Sequence, residues 1–195
     1  MKYFLLGHTY PDGGYIDGDV VFDPPLEAYY QVGACSIEGR TVSVTMDTSV
    51  RKLSVDFFLT TSGAFFASAE LAALLKLHKC DVQIIQADTR YFNGKNTEKT
   101  YFLVHAEQRL SCFDYQQSEY AGKALALERL AQGEHPDSFL VKGVRSVVID
   151  EKCAADADFF FLKNVVLVDP IVSETLAKSM LNERLKVHLE ELVIK

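Results

Sequence analysis

Between Thr41 and Met46 the chain alternates polar and apolar residues without a break, Thr-Val-Ser-Val-Thr-Met. Successive side chains of a strand point to opposite faces, so this segment predicts a half-buried strand with Val42, Val44 and Met46 inward. Apolar runs from Lys2 to Leu6 and from Val55 to Thr60 predict two further strands. Pro11-Asp-Gly-Gly14 and Asp17-Gly-Asp19 are rich in turn formers and predict a loop after the first strand. Beyond Gly63 the period changes to that of a helix. Leu71, Leu74, Leu75 and His78 share one helical face, Ser68 is placed to cap it, and Glu70 suits its positive end. The helix should stop near Lys79.

The next stretch predicts a hairpin. Val82 to Tyr91 and Thr100 to His105 flank Phe92-Asn-Gly-Lys-Asn-Thr97, in which Asn93-Gly94 tolerates the positive φ of a tight turn. Tyr101 to His105 is apolar on both faces, as a central strand would be. Ala121 to Ala131 is helix-prone, although Gly122 and Gly133 bracket it. Val141 to Ile149 and Phe159 to Val168 return to strand character. Near the C-terminus an earlier order recurs: Phe159-Phe-Phe-Leu162, then a helix from Ser173 to Leu181, then a strand from Leu185 to Ile194. It matches Phe57-Phe-Leu59, the helix capped by Ser68, and the strand from Val82. Convergence and duplication both explain this, because no fixed period recurs. The fold class expected is α+β: a mixed, largely antiparallel sheet with a few short helices in one domain over 1–195, with two strand–helix–strand lobes.

Composition narrows the class. The chain has 195 residues, 48% hydrophobic and 24% charged, and a chain this long buries roughly 70% of its unfolded surface without disulfides or metals. Mean hydropathy is +0.03, and no run approaches the ~18 apolar residues of a membrane span. The apolar run Tyr3 to Leu6 is too short for a signal-peptide core, so a cytoplasmic protein is expected. A net charge of −7 argues against broad nucleic-acid binding. The four cysteines lack zinc-site spacing and are expected as small core residues. No phosphate loop, dinucleotide fingerprint or serine elbow is present, and neither a cofactor nor a metal is expected.

Charge is unevenly distributed. Residues 1–38 hold Lys2 against Asp12, Asp17, Asp19, Asp23, Glu27 and Glu38, so five of the seven net negative charges fall in the first fifth of the chain. Calcium-loop spacing is absent. Asp12, Asp17, Asp19, Asp23 and Glu27 therefore stand as a solvated loop or as a docking face for a basic partner. The enzymatic alternative is a thiol nucleophile, since His105, Cys112 and Asp114 lie close together in sequence. A regulatory or scaffold domain is the third reading.

Ala64 to Tyr120 carries a family resemblance. Phe65-Phe-Ala-Ser68-Ala-Glu-Leu71 leads to Asp81-Val-Gln-Ile-Ile85, Tyr101-Phe-Leu-Val104 and Leu110-Ser-Cys-Phe-Asp-Tyr-Gln-Gln-Ser118-Glu-Tyr. Phe160-Phe-Leu162, Val172-Ser173-Glu174 and the strand Leu185 to Leu192 follow in matching order. Over residues 55–195 the chain resembles bacterial immunity family eleven, a former domain of unknown function, or the related family forty-three. The resemblance implies an α+β protein that accompanies polymorphic toxins delivered between competing bacteria. It implies stoichiometric inhibition of a cognate toxin domain in the cytoplasm, without catalysis; the charge and hydropathy above add that no nucleic-acid or membrane partner is expected. Residues 1–54 form a variable acidic segment outside it. The matched Ser68, Asp114, Ser118 and Ser173 read as caps and turn residues and supply no toxin contacts.

Overall fold

The computed structural model describes residues 2–8, 14–26, 29, 35–106, 109–154 and 157–194. Its first elements are strands β1 (Tyr3–Gly7), β2 (Gly18–Asp23), β3 (Thr41–Met46), β4 (Phe57–Leu59) and β5 (Phe65–Ser68), followed by helix α1 (Ala69–Leu77). The hairpin strands β6 (Val82–Arg90) and β7 (Tyr101–Ala106) come next, then the short strands β8 (Arg109–Leu110) and β9 (Glu119–Ala121). Helix α2 (Lys123–Ala131), strands β10 (Lys142–Ser146) and β11 (Val148–Ile149) and helix α3 (Glu151–Ala154) lead to the last unit. That unit is β12 (Phe159–Leu162), β13 (Ile171–Ser173), α4 (Glu174–Asn182) and β14 (His188–Ile194).

The strands form two six-stranded sheets, ordered β2-β3-β6-β7-β5-β4 and β11-β14-β1-β13-β12-β8, and a two-stranded ribbon of β9 and β10. Only β3–β6, β11–β14 and β12–β8 pair in parallel among the named strands. The fold is therefore α+β with mixed, largely antiparallel sheets. No helix among the described residues is long and apolar enough to cross a membrane.

Strand alternation decides which side chains meet. Val42, Val44 and Met46 are buried while Thr41, Ser43 and Thr45 are exposed, as the sequence pattern requires. They join Phe22, Phe58, Phe66, Tyr101 and Leu103 in a core on the outer side of the first sheet. Phe57, Phe65, Ala67 and Val104 point the other way and meet Leu6, Phe159, Phe161 and Val172 of the second sheet. Leu71 and Leu75 of α1 and Leu176 and Met180 of α4 complete this central cluster. A third cluster, with Tyr3, Phe160, Ile171 and Cys112, lies on the far side of the second sheet. The β6–β7 hairpin turns at Gly94, whose φ is 80°, a conformation glycine adopts without steric cost. β7 lies between β6 and β5, the central position its two apolar faces predict.

The two strand–helix–strand segments are one unit built twice. In the first, Ser68 lies opposite Tyr101, Ala67 opposite Phe102 and Phe66 opposite Leu103. In the second, Ser173 lies opposite Tyr3, Val172 opposite Phe4 and Ile171 opposite Leu5. Tyr3-Phe-Leu-Leu6 thus occupies the place of Tyr101-Phe-Leu-Val104. Both serines cap their helices, accepting from Leu71 N at 3.3 Å and from Leu176 N at 3.2 Å. Ala69 N donates to Thr100 O at 3.0 Å, and Glu174 N donates to Lys2 O at 2.8 Å. The units also grip each other reciprocally. Asp56 N donates to Lys186 O at 3.1 Å, and Asp158 N donates to Lys79 O at 3.0 Å. Their carboxylates accept in return from Lys186 N at 2.6 Å and Lys79 N at 3.1 Å. Such exchange is what a two-fold arrangement of similar units produces.

Three local expectations need correction. Asp17-Gly-Asp19 is not wholly loop: Val20 and Phe22 alternate inward against β3, and that burial extends Gly18–Asp23 as a strand. Phe65–Ser68 is a strand in front of the helix, because its phenylalanines are needed on both faces of the first sheet. The strand predicted for Phe159 to Val168 ends at Leu162, and Asn164 takes a left-handed φ of 56°.

Candidate functional site

Of the five acidic positions singled out above, Asp12 and Glu27 lie outside the described residues. Asp17, Asp19 and Asp23 are exposed. β2 is the outermost strand of its sheet, and its register puts Asp19 beside Thr45, Val21 beside Ser43 and Asp23 beside Thr41. On β6, Gln86, Asp88 and Arg90 continue the same face, with Asp88 opposite Ser43. The central core covers the β4, β5 and β7 side of this face and, through Val82 and Ile84, the start of β6. The side made by β2, β3 and the Gln86–Arg90 end of β6 stays open because its residues are too polar to cover with apolar side chains. Arg90 is tied to Asp88 at 2.8 Å, so it does not offset Asp17, Asp19 or Asp23.

At one end of this face a cleft of about 450 Å³ opens between the start of β2, the end of β3 and the tip of the β6–β7 hairpin. Asp17, Asp19 and Asp47 bring three carboxylates to its lining, and Phe92 brings a ring that is 69% exposed. Among the described residues no lysine or arginine lines it. The Ser49 amide donates to Asp47 at 2.9 Å and holds that carboxyl below the usual carboxylate range. An aromatic face beside fixed negative charge suits a guanidinium or ammonium group. Phe92 and Asp47 were not among the site residues expected from sequence. Phe92 sits in the predicted turn and Asp47 follows the predicted strand, and only the sheet register carries both to Asp17 and Asp19.

The thiol pair is not assembled. Cys112 is fully buried in the cluster beyond the second sheet, and burial, above all, pushes its thiol up to about 12. His105 is buried on the first sheet, its ring 5.7 Å from that of Tyr29, which packs with the other core. The two side chains belong to different cores, so the short separation in sequence does not become a nucleophile–base contact. Asp114 serves a turn instead, accepting from Gln116 N at 2.9 Å and Gln117 N at 3.0 Å. Ser118 likewise accepts from Val148 N at 2.9 Å. All four cysteines are free thiols, and Cys153 is exposed rather than in the core. Among the described residues no group of three His, Cys, Asp or Glu side chains could hold a metal ion.

Among curated proteins, none matches the sequence. A family model described as Immunity protein family (Imm11) matches residues 23–189. The matched span starts at the last residue of β2, includes part of the segment 1–54, and runs from β3 into β14, leaving β1 and most of β2 outside it. On that match the chain belongs to the Imm11 immunity protein family.

Proposed function

We propose that this chain is a cytoplasmic immunity protein that neutralises a cognate toxin domain in a polymorphic toxin system by binding it one to one, without turnover. The observation that carries the site is the cleft around Phe92, with three carboxylates and, among the described residues, no basic one in its lining. The carboxylates of Asp17, Asp19 and Asp23, with Asp12 and Glu27 from the same acidic segment, would attract a basic toxin surface during encounter. Phe92 would act after encounter, as an aromatic anchor excluding water around a cationic toxin side chain. Such a protein needs no cofactor, and occupation of the toxin's cleft is sufficient for protection.

Co-expression with the cognate toxin domain tests the reading. Cells are expected to survive and the two chains to co-purify; cell death with no complex rejects it. The triple reversal Asp17→Lys, Asp19→Lys and Asp23→Lys should slow association about tenfold at low ionic strength and flatten its salt dependence. Unchanged association at low salt removes β2 from the interface. Phe92→Ala should leave association near the parent rate and raise dissociation roughly tenfold or more. Stopped-flow or surface-resonance kinetics distinguish the two effects.

A further inference from the structure

The open edge of β2 carries a second kind of information, held in the backbone. Asp47 N donates to Asp17 O at 2.9 Å, and the antiparallel register continues as Asp19 opposite Thr45, Val21 opposite Ser43 and Asp23 opposite Thr41. Hydrogen-bonded and non-hydrogen-bonded pairs alternate along such a ladder. Asp19, Val21 and Asp23 therefore turn their N–H and C=O groups to β3, whereas Gly18, Val20 and Phe22 turn theirs outward. Ile16 shows what outward groups of this parity do when a strand is available. Its N–H donates to Leu59 O at 2.8 Å, and its carbonyl accepts from Thr61 N at 3.0 Å. After Thr61 the β4–β5 connection turns back through Gly63, at φ 82°, and β2 runs on with no described strand beyond it. At six residues β2 is longer than the other outer strands of the two large sheets, β4 with three and β8 and β11 with two each.

Long unpaired edges invite strand addition, and the side chains select what can add here. A second copy of this chain would bring Asp19 and Asp23 against their own counterparts, and like charges on facing strands repel. A basic strand reverses that sign. We infer that the cognate toxin presents an extended segment that adds to the free edge of β2, with basic residues flanking an apolar one at alternate positions. The basic pair meets Asp19 and Asp23, the apolar residue covers Val21, which is 57% exposed, and the segment's backbone pairs with Gly18, Val20 and Phe22. This rests on the toxin-binding reading above and specifies its binding mode.

Residue-resolved amide exchange on the free chain and on its purified complex with the toxin domain tests the inference. The amides of Gly18, Val20 and Phe22 should exchange quickly in the free chain and slow at least tenfold in the complex. Those of Asp19, Val21 and Asp23 should be protected in both. Val20→Pro supplies the second arm: it deletes an outward N–H that pairs with no described residue, a loss an edge strand tolerates. It should weaken toxin binding about tenfold or more while leaving the melting transition cooperative. A complex that forms with no added protection at 18, 20 and 22, or that keeps parent affinity in Val20→Pro, overturns strand addition and leaves toxin binding standing. If Val20→Pro fails to fold, exchange on the parent complex decides alone. Dimerisation of the free chain with protection at the same amides assigns the edge to a second copy and overturns the inference. Failure of the parent chain to bind or protect removes the toxin-binding reading and the strand pairing with it.

Discussion

Asp56→Ala is expected to lower the unfolding free energy by about 2–3 kcal/mol, because it removes the buried acceptor shared by a partly exposed lysine and a backbone N–H. The Asp56 side chain is 2% exposed and pairs with Lys99 Nζ. Its other oxygen accepts from Lys186 N at 2.6 Å, tying the second unit to the first. Burial alone would push this carboxyl up, but hydrogen bonds from Lys99, Ser68 and Lys186 N, with the lysine charge, outweigh it and hold the group below its ordinary value. A carboxyl depressed in the folded state stabilises the fold fully above its unfolded pKa of about 3.9 and loses that contribution as pH falls through the folded value. Stability should therefore decline below about pH 4, and Asp56→Asn should flatten that decline while being less stable at neutral pH. Urea titrations at pH 7 and across the acid range measure both effects. A loss under about 1 kcal/mol at pH 7, with an unchanged acid slope, would show that the contact between the units is held elsewhere.

Phe65→Ala is expected to cost about 3–5 kcal/mol and to do so in both halves of the molecule together. Phe65 is 1% exposed, its ring stacked on Phe57 at 5.3 Å and tilted against Phe161 of the second sheet at 5.6 Å. A cavity there removes contacts from both sheets and from α1 and α4, since all four contribute to one central cluster. Circular dichroism and tyrosine fluorescence should report one coincident transition at lower denaturant concentration. If amide exchange instead showed β12–β14 keeping parent protection while β4–β7 opened, the central cluster would not couple the two units.

The parts legible in the sequence are those set by neighbours a few positions apart. Strict alternation from Thr41 to Met46, the Asn93-Gly94 turn, the two serine caps and the doubly apolar β7 all depend on local dihedrals or on a period of two or 3.6 residues. Exposure of Asp17, Asp19 and Asp23 follows equally from residue type. The doubling of the unit was visible only in part, because the units are not laid out in the same chain order. β7 follows β6 in one, whereas its counterpart β1 precedes everything else in the other. A search for a repeat of fixed period passes over that arrangement.

Side-chain chemistry and local periodicity thus determined by themselves an acidic α+β chain with capped helices and a tight hairpin. Tertiary structure alone decided that Asp17-Gly-Asp19 opens an edge strand, that Asp47 and Phe92 join its carboxylates, and that Asp56 and Asp158 each hold the opposite unit. It also separated His105 from Cys112. The physical reason is common to all four. Each depends on strand register or on shared burial between segments distant in the chain, and pairing energy of that kind is realised only once both segments are in place.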